Sequence, residues 1–348
     1  MMDMPVQPSA PANTPAAAPQ NVPAAPMLVN CIAYGKDGHK LGDVALDDIS
    51  NVLQYADQFI WVGLHEPDEA LLEKLQEEFG LHDLAIEDAH CAHQRPKIEI
   101  YDDVLFVVLH TAQVVDGKIE FGETHIFLGK NFLLTVRHGA SLSYAAPRKA
   151  CEQTPELMAL GPSYAMYAVL DFIVDNFMPI VSTFKEELHE LEKEIFEDTF
   201  KREVIERIYL LKRELVTLRL AVSPMQDILN QLSRFHGKQI DDEVRPYLRD
   251  VYDHATRISD ATNTMGELLT AAMNVNLAMV SVAQNEVVKR LAGWAGLLAV
   301  PTLFASWYGM NFHNMPELST DYGYFIMIGV TVVACIGLYV MLKRAKWL

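Results

Sequence analysis

The chain has 348 residues and a mass of 39.1 kDa, enough for two or three domains. Apolar residues make up 50% and charged residues 21%, a balance that excludes both a wholly disordered chain and a wholly membrane-embedded one. The net charge of −18 argues against nucleic acid as the main partner, because phosphate neutralisation needs a basic face, and it leaves room for cation handling.

The charge is unevenly spread. Residues 291–348 hold Lys343, Arg344 and Lys346 against Glu317 and Asp321, net +1, so residues 1–290 carry −19. The acidic and the apolar parts are therefore different regions. Cys31, Cys91, Cys151 and Cys335 lie far apart with no CxxC spacing, which fits reduced thiols rather than a disulfide framework or a cysteine zinc site.

Residues 1–26 contain seven Pro and seven Ala and no aromatic residue. Such a segment cannot bury enough apolar area to offset its ordering entropy, and it lacks the basic and apolar regions of a signal peptide. A disordered tail is predicted. Residues 27–155 mix strand and helix signals. VNCIAYG, QFIWVGL, DVLFVVLHTAQVV and THIFLGKNFLLTVR are rich in β-branched and aromatic residues. Between them DEALLEKLQEEFGLHDLAIEDA places Leu71, Leu72, Leu75, Phe79 and Leu81 on one broad side of a helix. A compact α/β domain follows from these signals.

Residues 156–290 read as almost all helix, with charged residues forming solvated faces. One helical stretch opens at YAMYAVLDFIVDNF and runs without Gly. A second, KREVIERIYLLKRELVTLRLAVSPMQDILNQLSRF, is predicted to break mainly at Ser223-Pro224. A third starts near Pro246, a residue suited to a first helical turn, and nothing punctuates it strongly before Gly309. As one helix it would reach roughly 95 Å. That is far longer than a globular domain needs, so oligomerisation is predicted.

After Arg290 the sequence holds no Asp, Glu, Lys or Arg before Glu317. Residues 291–312, LAGWAGLLAVPTLFASWYGMNF, are long enough to cross a bilayer, and so are residues 322–342, YGYFIMIGVTVVACIGLYVML. Residues 313–321 form a short loop between them. Lys289 and Arg290 precede the first span, and Lys343, Arg344 and Lys346 in the tail 343–348 follow the second. The positive-inside rule then puts both ends and the acidic domain in the cytoplasm, the loop outside, and the protein in the cell (inner) membrane. Stepping by 3.6 from Asn274 gives Ala278, Ser281, Asn285, Val288, Ala292, Ala295, Ala299 and Thr302, a stripe without a charged side chain. It fits close helix packing through small residues, or the wall of an axial pore. Two spans cannot enclose a pore, so the second reading requires a symmetric oligomer.

The first span ends in Tyr308-Gly309-Met310-Asn311-Phe312, followed by Met315-Pro316-Glu317-Leu318, and the chain closes in KRAKWL. This resembles the CorA family of magnesium and cobalt transport proteins, whose signature is Gly-Met-Asn at the outer end of the first of two C-terminal spans. IEDAHCAHQRPKIEIYDDVLFVVL, LDFIVDNF and RDVYDHATRISD also resemble family segments in family order, so the resemblance covers roughly residues 30–348. It implies a homopentameric channel, each subunit giving an α/β cytoplasmic domain, a long helical stalk in a funnel, and two C-terminal transmembrane helices.

The resemblance implies a selectivity filter of Gly309, Met310 and Asn311. Mg²⁺ is small and holds its waters tightly. A ring of neutral Asn311 amide oxygens, with backbone carbonyls of Gly309 and Met310 nearby, would hydrogen-bond those waters without holding the ion too tightly for release. Gly309 and Asn311 also fit a plain helix end. By the same resemblance Thr302 is a polar ring, Val288 and Leu291 form the apolar constriction, and Ala299 and Asn274 line the pore. Relatives often carry Met at the positions of Val288 and Ala299 and an acidic residue at that of Asn274. Glu317 in the external loop attracts incoming cations or is a solvated loop charge. Asp88, Asp250, Glu87 and Asp171 would bind regulatory Mg²⁺ between neighbouring subunits, where clustered carboxylates repel unless a divalent ion bridges them.

His82, His90, Cys91 and His93 fit no standard zinc spacing, and no catalytic constellation or nucleotide-binding loop is visible, so no enzyme and no organic cofactor are predicted. The leading reading is an uptake channel for Mg²⁺ that also passes Co²⁺ or Ni²⁺, gated by intracellular Mg²⁺, with divalent cations, the lipid bilayer and its own copies as partners. The alternatives are a ZntB-like zinc transporter of the same architecture and a non-conducting, membrane-tethered metal sensor.

Overall fold

The computed structural model describes residues 27–92, 94–115, 117–195, 202–234, 239–310, 315 and 320–348. The Pro/Ala segment 1–26 lies outside the described residues. The rest divides into two compact units. The first holds the described residues up to Asn176 together with Asp227–Tyr252; the second holds Phe177–Gln226 and Asp253–Leu348.

The first unit is built on a seven-stranded sheet. Its strands are β1 (Leu28–Gly35), β2 (Lys40–Asp43), β3 (Gln58–His65), β4 (Lys97–Tyr101), β5 (Val104–Val115), β6 (Lys118–Leu128) and β7 (Phe132–Gly139). They lie in the order β2-β1-β3-β7-β6-β5-β4, with only β3 and β7 parallel. The short helix α1 (Ile49–Val52) precedes β3, and α2 (Glu69–Phe79) and α3 (Asp83–His90) lie between β3 and β4. After β7 come α4 (Ala145–Glu152), α5 (Pro155–Met158) and α6 (Pro162–Asp175).

The apolar strand runs follow from burial on both sides. Val62, Phe106, Val108, Phe127, Leu134 and Val136 join Leu72, Leu75 and Phe79 of α2 and Ala85, Ile86 and Ala89 of α3 in one cluster. The alternating positions Leu105, Val107 and Leu109 are also fully buried, and α6 packs against β3, β6 and β7. The helical run predicted over residues 68–89 is two helices. Asp68 Oδ1 accepts from the Leu71 amide, 2.9 Å, to start α2, and Gly80 ends it in the left-handed region at φ 64°. His82 Nδ1 then accepts from Leu84 N, 3.2 Å, and starts α3.

The second unit draws on α7 (Phe177–Ile195), α8 (Arg202–Arg234), α9 (Arg245–Tyr308) and α10 (Gly323–Arg344). Phe177, Ile180, Val181, Phe184, Leu188, Leu191 and Ile195 are buried on one side of α7 at three-to-four spacing. One expectation fails here: α8 continues unbroken through Pro224. The lost amide hydrogen costs roughly 3 kcal/mol. Ala221, Val222, Met225, Ile228 and Leu229, all buried around it, outweigh that at about 1.5–3 kcal/mol for each large side chain. The 64-residue helix predicted to end near Gly309 is present as α9, with Pro301 inside it.

Candidate functional site

Burial along α9 changes abruptly. Ala255, Ile258, Met265, Leu269 and Ala272 are buried at helical spacing, but no residue from Leu277 to Ala292 is. Val287, Val288, Leu291, Leu298 and Leu303 are 62–69% exposed, which water alone would not favour. Because α9 is continuous, 100° per residue places Asn274, Val288, Leu291, Ala299 and Thr302 within a sector of about 100°, and Gly309 continues it. All six are exposed and uncharged in the single chain. The Thr302 hydroxyl donates to the Leu298 carbonyl, 2.9 Å. Its proton is used within the helix, so its oxygen is left to accept, and water bound to a cation donates.

The mouth of this sector is formed by the end of α9. The Gly309 amide donates to Ala305 O, 3.0 Å, and Met310 N to Trp307 O, 3.4 Å. A Cβ on Gly309 would come within 3.1 Å of Ala305 O, so the tight helix end favours glycine. Asn311 and Glu317 lie outside the described residues.

α10 returns alongside α9. Phe304 and Tyr308 of α9 share a cavity of about 150 Å³ with Gly323, Ile326, Met327 and Val330. At the other end Leu348 closes over Gly293, where a Cβ would lie 3.2 Å from its Cγ. The two helices thus run antiparallel, and Lys289 and Arg290 share one end of the pair with Lys343, Arg344 and Lys346. The Gly293–Leu348 contact has no spacing signal in the sequence.

The carboxylates fall into two places. Asp88, half-buried on α3, pairs with Lys97 Nζ of β4 at 2.7 Å, and Lys97 also reaches Glu99 at 2.7 Å. Burial lowers the Lys97 pKa, but Asp88 and Glu99 together hold it above its ordinary value. Lys97 stands in the KIEI run, and no spacing rule in the sequence ties it to Asp88. Glu87 is exposed beside Asp88. Asp171 of α6 and Asp250 at the start of α9 both act on Tyr167. Burial raises that hydroxyl's pKa first, and both carboxylates push it further. Among the described residues, no group of three or more metal-ligand side chains includes Glu87, Asp88 or Asp250.

The same holds for His82, His90 and Cys91. His82 caps α3 and stacks on Tyr101 at 4.8 Å between ring centroids. His93 lies outside the described residues.

A family model described as "CorA-like Mg2+ transporter protein" matches residues 56–344. The chain is 31% identical over 309 residues to the cobalt/magnesium transport protein CorA of Thermotoga maritima, covering 86% of this chain and 87% of that one. Its fold is similar to the complete CorA magnesium transporter of Methanocaldococcus jannaschii, with a TM-score of 0.75 and 22% identity over 92% of this chain and 99% of the other. It is also similar, at a TM-score of 0.56 and 11% identity, to the cytoplasmic domain of ZntB from Vibrio parahaemolyticus, covering 71% of this chain and 96% of that one. An α/β unit, a 64-residue helix and an apolar C-terminal helix, joined to a family match that spans most of the sequence, make the chain a member of the CorA-like Mg²⁺ transporter family.

Proposed function

We propose that this protein carries divalent cations across a membrane, Mg²⁺ first and Co²⁺ or Ni²⁺ with it, as a homopentameric channel whose axis is lined by α9. The observation that carries the reading is the uncharged, exposed sector of α9, which runs for 35 residues from Asn274 to Gly309. One chain cannot close a ring around it.

Each residue has a physical task in this reading. Five Asn311 amide oxygens accept from the waters of hydrated Mg²⁺, so the ion is bound without being stripped. Thr302, with its proton held by Leu298, presents a second ring of acceptors. Val288 and Leu291 form an apolar constriction that closes by excluding water. Lys289, Arg290, Lys343, Arg344 and Lys346 face the cytoplasm, and Glu317 attracts cations from outside. Internal Mg²⁺ bridges Asp88 and Glu87 of one subunit to Asp250 of the next, with Asp171 nearby, and holds the closed state by its differential affinity for it. Asp88 gives up Lys97 when the ion binds.

Flux of Mg²⁺, Co²⁺ and Zn²⁺ into liposomes, with and without a proton gradient, tests the reading. Mg²⁺ entry driven by its own gradient is the expected result. Zn²⁺ entry coupled to protons, with no Mg²⁺ entry, overturns it in favour of a zinc transporter. No flux of any ion leaves a tethered sensor in its place.

A further inference from the structure

Strands β6 and β7 bury Glu123, His125 and His138, none of which has a part in the proposed pathway; Glu123 and His138 are 4% exposed and His125 not at all. His138 sits between two partners. Its Nε2 is 2.9 Å from the Ala89 carbonyl near the end of α3, and its Nδ1 is 3.2 Å from Glu66 Oε2 in the connection from β3 to α2. The carbonyl only accepts. Glu66 also accepts: burial raises its pKa, but the Gly139 amide, donating to Oε1 at 2.7 Å, and the His138 ring hold the carboxyl below its ordinary value. An imidazole donates from both nitrogens only when it carries two protons.

Removing one proton forces a choice between the two contacts. Ala89 is fully buried, whereas the Glu66 side chain is 54% exposed. An unpaired buried carbonyl costs more than a carboxylate turned to water. The singly protonated ring therefore keeps Ala89 and drops Glu66. Glu66 is also a non-glycine residue at φ 46°, a conformation that persists only while its surroundings hold it. We propose that His138 is a proton-operated latch: doubly protonated it fastens Glu66, and with it the β3–α2 connection, to the end of β7, and singly protonated it lets Glu66 go.

The surrounding charges are mixed. Glu123 of β6 stands directly across from His138 in the sheet, His65 of β3 stands across from its neighbour Arg137, and Asp88 precedes Ala89 on α3. His90, the last residue of α3, is exposed. The His125 ring lies 5.3 Å from that of His138. Burial keeps His125 neutral against the pull of Glu123, and His138 adds to the effect. The latch belongs to the first unit alone and stands whether or not Glu87 and Asp88 bind an ion.

Hydrogen exchange of the full chain in lipid nanodiscs at pH 5.5 and 8.5, corrected for intrinsic rates, tests it. Imidazole ordinarily titrates between these values. Peptides carrying Glu66 and Gly139 are read against one from Leu105–Leu109 as the reference. In the wild-type protein, protection at Glu66 and Gly139 should fall about fivefold at pH 8.5, the scale of one partly exposed hydrogen bond. In Glu66→Gln the carboxamide accepts from Gly139 and donates to the singly protonated ring, so the fall should vanish. In Glu66→Ala protection should be low at both pH values while the reference is unchanged. Flat wild-type protection, or a fall of the same size retained in Glu66→Gln or Glu66→Ala, overturns the latch.

Discussion

The sheet of the first unit and the paired helices at the C-terminus are both rich in large apolar side chains, yet the chain treats them in opposite ways. Trp61, Leu75, Leu105, Phe106 and Phe127 are at most 0% exposed, whereas Leu291, Leu298 and Phe325 are 68–69% exposed. The sheet finds its apolar partners within the chain. The α9–α10 pair leaves most of its large apolar side chains exposed in the single chain. Composition alone misses this difference. Among the described residues, three helical runs are long and apolar enough to span a bilayer: Pro162–Ile195, Arg245–Tyr308 and Gly323–Arg344. The most apolar window is 50% buried within the chain in the first and 6% in the other two. The first therefore serves as core, and the other two have surface to offer a membrane.

The contrast is broken most strongly by moving a large-to-small change from one region to the other. Leu75→Ala should destabilise the sheet unit by about 2–5 kcal/mol. Leu298→Ala should leave the unfolding of that unit unchanged, because Leu298 belongs to the second unit and its side chain is 68% exposed. Denaturant unfolding followed by hydrogen exchange of the strand peptides checks both; equal effects would mean that the two regions are not separately cored.

Function should respond in the reverse order. Asn311→Ala should abolish Mg²⁺ flux with the oligomer intact, and wild-type flux in an assembled variant would remove the amide ring from the pathway. Val288→Asp or Leu291→Asp should hydrate the constriction and raise leak current at high internal Mg²⁺, without touching the stability of the sheet. Unchanged patch currents in both would place the gate elsewhere on α9.

A smaller effect separates the regions by pH. His125 is held neutral by burial, so its folded pKa lies below its unfolded one. The unfolded chain then takes up the proton first as pH falls below about 6.5, and the sheet unit loses stability in that window. Glu66 also has a lowered folded pKa, but its contribution is lost only further down, in the carboxylate range below about 4.5. His125→Gln should flatten the first window and leave the second. An unchanged profile between pH 7 and 5 would show that another group titrates there.

The smallest expected effect is at the acidic surface. Asp88→Lys with Asp250→Lys should weaken protection of the sheet unit from protease by Mg²⁺. Unchanged protection across a Mg²⁺ titration in the singles and the double would remove these carboxylates from regulation.

Much of the fold was legible because it depends on local chemistry. Pro246 near a helix start, the unbroken periodicity to Gly309 and the two charge-free runs are local patterns, and they locate α9 and α10 to within a few residues. The Gly-Met-Asn motif and the order of the quoted segments identified the family for the same reason. Pro224 misled, since its local cost is real but smaller than the apolar burial around it, and burial depends on residues distant in sequence. The sequence also gave no means of joining Asp88 to Lys97, Leu348 to Gly293, or His138 to Glu66 and Ala89, which stand 72 and 49 positions away. Those contacts are set by strand register and helix packing. Periodicity records which face of an element is apolar; it holds no information about which other element that face will meet, and only the folded chain settles that.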